Sequence, residues 1–498
     1  MTDLNTANTD YLMYIDGEFC EASEGGRFES VNPATGLAWA TAPAATEEDV
    51  DRAVRAAHRA LREGPWPAMT ATQRGKLLFR LADLMEEHSE LLGSVETTDS
   101  GKLAVETRGQ SAYVAEYYRY YGGLADKIQG ATLPMDKPDL HVYTLREPIG
   151  VVAGVVPWNA EMLLTGTKAA PALAAGNTVV IKSSEHAPAP VLEFARLVEE
   201  AGFPPGVFNL VTGFGEPCGR ALTSHPLVSR VSFTGGTEAA RHVVANTANN
   251  FAHLSLELGG KSPILIFDDA DLEGAVNGAV AGNFGASGQS CVAGSRVFVQ
   301  SGIYADFIDA VVQRAEQVRI GDPLEADTQM GPLATQAQRD RAEEVVAESV
   351  AQGATLHTGG GRPPGLEAGW YFQPTLLGCP DQSIRSTQVE LFAPVMSALK
   401  FETEEEGIAL ANDTVFGLGA GVFTENLARA HRVAAAVHSG IVWINTYRAI
   451  SPISPFGGYG QSGYGREAGL DVIQEFTRTK AVWVNTSSAP MANPFVMR

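Results

Sequence analysis

The chain has 498 residues, and 36 Lys plus Arg against 58 Asp plus Glu give it a formal net charge of −22 at pH 7. At roughly 150 residues per domain the length predicts several domains with sizeable cores, and the charge disfavours nucleic acid as a partner. A hydrophobic fraction of 45% and a charged fraction of 19% exclude disorder as the state of most of the chain.

The polar start, the length of the apolar runs and the spacing of the cysteines bear on the cellular compartment of the protein. The polar start, Met1–Asp10, lacks the basic and apolar regions of a signal peptide, and the run 149–156 is far shorter than the roughly 18–20 residues of a membrane helix. We therefore expect a cytoplasmic protein that does not bind membranes. The cysteines lack the spacing of a disulfide framework or a zinc site, so we expect no metal; they are Cys20, Cys218, Cys291 and Cys379.

A short β region precedes the first helices. Thr46 and Asp49 have the form of a capping box and predict a first helix, and a second begins near Thr70. A third helix over 113–121 is rich in tyrosine. Its tyrosines either pack in the core or line a binding site, and core packing is the commoner role.

From residue 149 onwards predicted strands and helices alternate, as in a doubly wound parallel sheet. The alternation restarts after Leu258, which predicts a second α/β domain and a cleft between the two. The first block contains strands 149–156, 178–181, 207–211 and 231–233 and helices 162–175 and 189–201. The second contains 263–267, 297–299, 303–319, 395–401, 419–423, 427–438 and 441–445.

One cysteine stands apart from the others. Cys291 lies in a loop between Gly288 and Gly294, where a substrate can approach the thiol closely. A lone cysteine is commonly a packed small hydrophobe, so a catalytic and a structural role both stay open.

Two polar residues follow predicted strands. Glu257 lies between two leucines, and such apolar surroundings raise the pKa of a carboxyl and suit a general base; an ion pair with Lys261 is the alternative. Asn159 follows Pro157 and Trp158 at the carboxyl end of a parallel strand, where its amide can hold an oxyanion or simply form a turn.

Two glycine-rich stretches, 211–219 and 233–238, are candidates for a dinucleotide site, although neither matches the Rossmann fingerprint and loop glycines are the alternative. Lys182 ends a strand and is followed by Glu185. A carboxylate at that place can hold ribose hydroxyls and repel a 2′-phosphate, which favours NAD over NADP.

In chain order, a series of motifs closely resembles the aldehyde dehydrogenase superfamily, and the match runs nearly end to end. It implies NAD-dependent oxidation of an aldehyde to the acid, in the hydrolytic branch that does not acylate coenzyme A. The motifs are Pro157–Asn159, Ile181–Glu185, Phe233–Glu238, Leu256–Lys261, Gly288–Cys291, Glu390–Pro394, Ser454–Gly458 and Ser462–Glu467.

The resemblance implies an α/β fold with two doubly wound Rossmann-like domains and a small β bridging or oligomerisation element. The NAD-binding domain would comprise 1–125 and 148–257, and the catalytic domain 258–478. The bridging element would comprise 126–147 and 479–498. Through such strands family members usually form homodimers or homotetramers.

The resemblance also assigns chemistry to matching positions. Cys291 would attack the aldehyde carbon to give a thiohemiacetal and then a thioester, which water activated by Glu257 would hydrolyse. The amide of Asn159 and the backbone N–H of Cys291 would hold the oxyanion, and Lys168 would lie near it.

For the cofactor, the resemblance implies that Lys182 and Glu185 hold the adenosine ribose, and that Glu390 holds the nicotinamide ribose. NADP remains possible beside NAD because the Glu185 side chain can swing aside. The other implied cofactor residues are Val156, Trp158, Ser184, Gly215, Phe233, Thr234, Gly235, Gly236, Leu258 and Phe392.

The substrate pocket departs from the family pattern. Ala160 and Glu161 stand where many members have Phe-Pro, which predicts a wider mouth. Arg448 falls at the implied substrate entrance and either pairs with a substrate carboxylate or forms an interdomain ion pair. The implied substrate residues are Tyr117, Trp158, Ser290, Val292, Arg448 and Phe456.

Two other functions remain open from the sequence. One is a non-redox cysteine esterase or hydrolase that uses Cys291 and Glu257. The other is a dehydrogenase specific for semialdehydes through Arg448. The aldehyde itself is not specified by these motifs.

Overall fold

In the computed structural model, which describes residues 9–491 and 493–496, two large sheets dominate the fold. The polar start from Met1 to Asn8, on which part of the compartment prediction rests, lies outside the described residues. Within those residues no helix is long and apolar enough to cross a membrane.

The strands are, in chain order, β1 (Thr9–Asp10), β2 (Met13–Ile15), β3 (Glu18–Cys20), β4 (Arg27–Asn32), β5 (Leu37–Pro43), β6 (Thr132–Leu133), β7 (Leu140–Pro148), β8 (Val151–Val155), β9 (Thr178–Lys182), β10 (Phe208–Val211), β11 (Val228–Thr234), β12 (His253–Glu257), β13 (Pro263–Ile266), β14 (Arg296–Gln300), β15 (Thr355–Thr358), β16 (Thr375–Gly378), β17 (Val395–Phe401), β18 (Gly419–Phe423), β19 (Ile441–Ile444), β20 (Gly463–Tyr464) and β21 (Thr477–Asn485).

The helices are α1 (Glu47–Arg62), α2 (Ala71–Glu87), α3 (Ser89–Ser100), α4 (Ala104–Leu124), α5 (Glu161–Ala174), α6 (Ala189–Ala201), α7 (Arg220–Ser224), α8 (Thr237–Thr247), α9 (Leu272–Asn283), α10 (Tyr304–Glu316), α11 (Gln336–Ala351), α12 (Arg385–Gln388), α13 (Glu404–Asn412), α14 (Leu427–Ala436) and α15 (Val472–Glu475).

Local signals start the first helices as predicted. The side chain of Thr46 accepts a hydrogen bond from the backbone N–H of Asp49, whose carboxylate accepts one in return, and Thr70 caps α2 with Gln73 in the same way. The tyrosine-rich helix is α4, which is longer than predicted. Its Tyr117, Tyr118 and Tyr121 are buried in the core, which confirms core packing for these three side chains.

The first sheet has the order β20-β12-β11-β8-β9-β10-β2-β3. Its five central strands, from β12 to β10, are parallel, so their carboxyl ends lie on one edge. Register places Thr234 beside Glu257 and Val155 beside Lys182 at that edge. In doubly wound sheets ligands bind at this edge.

The second sheet has the order β15-β16-β17-β14-β13-β18-β19 and is parallel except for β15. A third sheet, β21-β7-β6, pairs the two segments predicted to form the bridging element. Strand β20 lies in the segment predicted to be catalytic, yet it hydrogen-bonds to β12 of the first sheet. The domain boundaries given above stay predictions.

Candidate active site

A cleft runs along the carboxyl edge of the first sheet and consists of two adjoining cavities. The outer cavity has a volume of about 460 Å³ and the inner one about 330 Å³. Trp158, Thr234 and the turn Gly235–Gly236 line both. The cleft is therefore continuous from the end of β9 to the thiol of Cys291.

The outer cavity contains a charge pair at the end of β9. The Nζ of Lys182 lies 3.3 Å from Oε2 of Glu185 and donates to the carbonyl of Ser183 at 3.0 Å. Burial raises the pKa of the Glu185 carboxyl, but the charge of Lys182 and a backbone N–H lower it more, so the net shift is downward. Glu185 is therefore ionised near neutral pH, which gives this end of the cleft one fixed acceptor beside one cation.

Glu390 lines the inner cavity and lies directly over the backbone that follows β12. Its Oε1 accepts a hydrogen bond from the N–H of Gly260 at 3.0 Å. A Cβ on Gly259 would overlap the same carboxyl group, so this approach requires glycine. Burial raises the pKa of Glu390 to about 7.

All the residues predicted for the cofactor line one of these two cavities. The outer cavity is lined by Val156, Trp158, Lys182, Ser184, Glu185, Gly215, Phe233, Thr234, Gly235 and Gly236, and the inner one adds Leu258, Glu390 and Phe392. Gln338 and Arg341, which the sequence did not single out, line the inner cavity as well.

Cys291 lies at the inner end of the cleft, in the loop that precedes β14. Ala286, Ser287 and Gly288 have left-handed φ values of 52°, 53° and 74°. A Cβ on Gly288 would overlap the backbone of Ala393, so the tight path of this loop requires glycine there. Burial, followed by the nearby Glu257 and Glu390 charges, raises the pKa of the Cys291 thiol to about 12, so the thiol is protonated at rest.

Glu257 shares a cavity with Cys291 and is buried, and neither of its carboxyl oxygens has a hydrogen-bond partner among the described residues. Burial and the charge of Glu467 raise the pKa of this carboxyl well above its usual range. The alternative of an ion pair with Lys261 is wrong, because the Nζ of Lys261 donates to the carbonyl of Ser386 at 2.7 Å. Glu257 therefore has the free oxygens and raised pKa that a general base needs.

A second buried carboxylate, Glu467, lies close enough to Glu257 to raise its pKa, and both oxygens of Glu467 have hydrogen-bond partners. Its Oε2 accepts from the hydroxyl of Thr167 at 2.9 Å, and its Oε1 is paired with Lys168. The Nζ of Lys168 also donates to the hydroxyl of Thr234 at 2.7 Å. Lys168 lines neither of the two cavities and is joined to the site through its contacts with Glu467 and Thr234, so its predicted role near the oxyanion stays a prediction.

On the side of Cys291 away from the outer cavity lies a third cavity of about 350 Å³, which is called the aldehyde pocket because four of the residues predicted for the substrate line it. The amide of Asn159 reaches it and donates to the carbonyl of Gln289 at 3.1 Å, which orients this side chain beside the loop of Cys291. The other lining residues are Lys102, Glu106, Gln110, Ala160, Leu163, Leu164, Thr234, Glu257, Ala286, Gln289, Ser290, Cys291, Val292, Arg448, Ile450, Phe456 and Glu467.

Arg448 lines the aldehyde pocket and forms no ion pair with any of the described residues. One of its guanidinium nitrogens donates to the carbonyl of Ala281 at 3.0 Å. The alternative of an interdomain ion pair is therefore wrong. Its positive charge lowers the pKa of the Cys291 thiol, although burial outweighs this effect.

The predicted substrate residues lie in three places. Ser290, Val292, Arg448 and Phe456 line the aldehyde pocket, and Trp158 lines the cofactor cleft next to it. Tyr117 lies elsewhere: it is buried in the helical core with its ring 6.2 Å from that of Tyr113. It lines neither the cleft nor the aldehyde pocket, since its position on α4 turns it into the core.

Comparison with known proteins agrees with this geometry. The family model for the aldehyde dehydrogenase family matches residues 19–482. The chain belongs to the aldehyde dehydrogenase family. This aldehyde dehydrogenase is 52% identical over 489 residues to the (Z)-2-((N-methylformamido)methylene)-5-hydroxybutyrolactone dehydrogenase of Acinetobacter baylyi, with 98% of this chain and 99% of the relative covered.

Other relatives extend the match. An Arabidopsis thaliana protein, aldehyde dehydrogenase family 2 member C4, is 42% identical, with 96% of this chain and 95% of the relative covered. The NAD⁺ complex of a Bacillus cereus aldehyde dehydrogenase superposes with a TM-score of 0.94 at 42% identity, covering 96% of this chain and 97% of that one. Betaine aldehyde dehydrogenase of Staphylococcus aureus, also with NAD⁺, gives a TM-score of 0.95 at 40% identity, covering 98% and 97%. The predicted family, fold class and NAD-dependent aldehyde oxidation are confirmed.

Proposed function

We propose that this aldehyde dehydrogenase oxidises an aldehyde that also carries a carboxylate, with Cys291 as nucleophile and Glu257 as base. The observation that carries the chemistry is the unpartnered, buried Glu257 carboxyl in the same cavity as a Gly-framed thiol. The observation that carries the substrate class is the guanidinium of Arg448, which lies in the pocket next to that thiol and has no charged partner among the described residues.

The reaction begins with a proton transfer, because the Cys291 thiol is protonated at rest. Glu257, directly or through one water, takes that proton as sulfur attacks the aldehyde carbon. The negative oxygen that forms is held by the amide of Asn159 and the backbone N–H of Cys291, and in comparable sites one such donor contributes roughly 3–4 kcal/mol. The product of this step is a thiohemiacetal on Cys291.

The residues of the cleft fit NAD. Lys182 and Glu185 provide a donor and an ionised acceptor for a ribose at one end, and Glu390 provides an acceptor beside Cys291 at the other. When bound, NAD supplies the acceptor for the hydride that leaves the thiohemiacetal carbon. Glu257 then activates water to hydrolyse the Cys291 thioester, and this releases the carboxylic acid.

The substrate proposal depends on charge. Two cations line the aldehyde pocket, and the Nζ of Lys102 is already held by Glu96 at 2.8 Å and by Gln110 at 2.6 Å. Arg448 is therefore the cation that a substrate carboxylate can pair with. The name of the A. baylyi relative specifies a 5-hydroxybutyrolactone, and such a lactone is the ring-closed form of a 4-oxo acid. A 4-oxo acid places an aldehyde and a carboxylate at opposite ends of a short chain.

The test compares 4-oxobutanoate with butanal, a neutral aldehyde of equal length. We expect Arg448→Gln to lower kcat/KM for 4-oxobutanoate about 10- to 100-fold, the range for a hydrogen bond to a charged group, and to change that for butanal by less than about threefold. Arg196→Gln, on the exposed face of α6, is the matched control. Equal losses on both aldehydes would refute recognition of the carboxylate.

The assembly and the compartment belong to the same proposal. The sheet β21-β7-β6 exposes Leu133, Leu145, Trp483 and Val484, and Trp483 is 58% exposed. Exposed aromatic and aliphatic side chains of this kind are typical of subunit contacts. We therefore propose a homodimer or homotetramer, which light scattering of the purified protein tests. All four cysteines are free thiols, which supports a reducing, cytoplasmic location.

A further inference from the structure

Glu106 is a charged residue of the aldehyde pocket that the proposed reaction does not use. It lies in the first turn of α4, and its Oε1 accepts a hydrogen bond from the N–H of Ala286 at 3.3 Å. Its Oε2 is buried and has no hydrogen-bond partner among the described residues. A buried acceptor without a partner is costly unless a ligand or water supplies the donor.

The position of Glu106 ties it to Arg448. The guanidinium of Arg448 lies against Gly285, and Glu106 is hydrogen-bonded to the next residue, Ala286. Both side chains therefore contact the same turn of the Cys291 loop. Glu106 reaches it from α4, and Arg448 reaches it from the segment after β19. No ion pair joins them among the described residues, so the same pocket is lined by a cation without a charged partner and by a carboxyl oxygen without a hydrogen-bond partner.

The neighbours of Glu106 on α4 do not compensate it. Lys102 precedes it by four residues, but its Nζ is bound to Glu96 and to Gln110. Gln110 follows by four residues and therefore lies on the same face of the helix, where its Oε1 is used by Lys102. Among the described residues of α4 that line the pocket, the carboxyl oxygen left without a hydrogen-bond partner is Oε2 of Glu106.

We propose that Glu106 is a specificity-determining residue that accepts a hydrogen bond from a hydroxyl or N–H group on the tail of a carboxylate-bearing aldehyde. This inference rests on the proposed function, because Arg448 holds the carboxylate of the same tail. A substrate with the donor gives Oε2 a partner, whereas a substrate without it leaves a buried oxygen unpaired. Sites with a buried polar group discriminate strongly against analogues that leave it unpaired.

The experiment uses the full-length enzyme with NAD and aldehydes that share one carbon chain. 2-Hydroxy-4-oxobutanoate carries the donor, and 2-methoxy-4-oxobutanoate has the oxygen without the proton. We expect the wild-type enzyme to favour the hydroxy compound in kcat/KM by about tenfold or more, the size of a hydrogen bond to a charged group. In Glu106→Gln the amide oxygen keeps the bond from Ala286 and presents N–H groups in place of Oε2, so the preference disappears.

Two controls separate this inference from the proposed function. Glu116→Gln makes the same change on the exposed face of α4, where the carboxylate pairs with Arg119, and should leave the hydroxy-to-methoxy ratio as in the wild type. The ratio of kcat/KM for 4-oxobutanoate to that for butanal depends on the pairing of Arg448 with the carboxylate. It should therefore stay unchanged within about twofold in Glu106→Gln. A hydroxy-to-methoxy ratio that is near one in the wild type, or equal in wild type and Glu106→Gln, overturns the role of Glu106. If the wild-type enzyme does not favour 4-oxobutanoate over butanal in kcat/KM, the proposed substrate class is overturned instead.

Discussion

The two ends of the active-site cleft differ in how their charges are compensated. At the cofactor end, Lys182 and Glu185 pair with each other, and Glu390 has a backbone N–H. In the aldehyde pocket, Arg448 and one oxygen of Glu106 lack charged partners among the described residues, as do both oxygens of Glu257. The charged groups at the cofactor end thus already have hydrogen-bond partners, whereas the groups in the aldehyde pocket are available to pair with the substrate or to take part in the reaction.

The largest effect that tests this difference comes from the base. In Glu257→Gln both the attack of Cys291 and the hydrolysis of its thioester lose their base, and we expect hydrolysis to slow more, because water is a far weaker acid than a thiol. Steady-state turnover should fall by about 100- to 10,000-fold, the range for a positioned acid or base. Stopped-flow fluorescence of NADH should then show a single-turnover burst followed by a slow phase. Glu200→Gln, an exposed carboxylate on α6, should behave like the wild type. A uniform slowing without a burst would show that Glu257 serves only the attack step.

A smaller effect is expected at the cofactor end. Because Glu185 is ionised, its charge repels the 2′-phosphate of NADP. Glu185→Ser should therefore raise the ratio of kcat/KM for NADP to that for NAD by about tenfold or more, as removal of one nearby like charge allows. Kinetics with each cofactor at saturating aldehyde measure the ratio. An unchanged ratio would place cofactor selection elsewhere in the outer cavity.

The smallest effect concerns stability and pH. The pKa of Glu257 is raised in the folded chain above its unfolded value, so its stabilising contribution is full below the unfolded pKa and is lost as pH rises through the folded pKa. Glu257→Gln mimics the protonated carboxyl. Its apparent Tm should therefore exceed that of the wild type by a margin that grows with pH from about pH 5, just above the unfolded pKa of a glutamate, towards alkaline pH. Differential scanning fluorimetry across this range is sufficient, and a constant or reversed difference would contradict the buried, unpartnered state of Glu257.

Short stretches of sequence were enough to predict residues that line the outer cavity, although their contacts with NAD stay predictions. Strand ends and glycine turns place Lys182, Glu185 and Gly235 through contacts close in sequence. The capping box at Thr46 starts α1 as predicted, and α2 begins at the predicted place, after Thr70. The aldehyde pocket was harder to predict because its side chains come from helices and loops far apart in the chain. Glu467 was visible as part of a terminal motif, but its partner Lys168 is 299 residues away.

The roles of three side chains could be decided only from the folded structure. The choice between a base and an ion pair at Glu257 depended on where the Nζ of Lys261 points, which no local pattern encodes. The sequence predicts Tyr117 as a substrate residue, but its side chain packs in the core. For Glu106, the spacing of Lys102, Glu106 and Gln110 on one helix face was a signal that could have been found. Its meaning became clear only with Ala286 and Arg448 beside it.

The most direct test of the account is to trap the acyl group on the enzyme. Glu257→Gln is mixed with NAD and 4-oxobutanoate, quenched in acid, digested and examined by mass spectrometry. We predict an acyl thioester on the peptide that contains Cys291, none on Cys20, Cys218 or Cys379, and neither adduct nor NADH with Cys291→Ala. NADH formation by Cys291→Ala, or an adduct on a different cysteine, would contradict the assignment of Cys291 as the nucleophile.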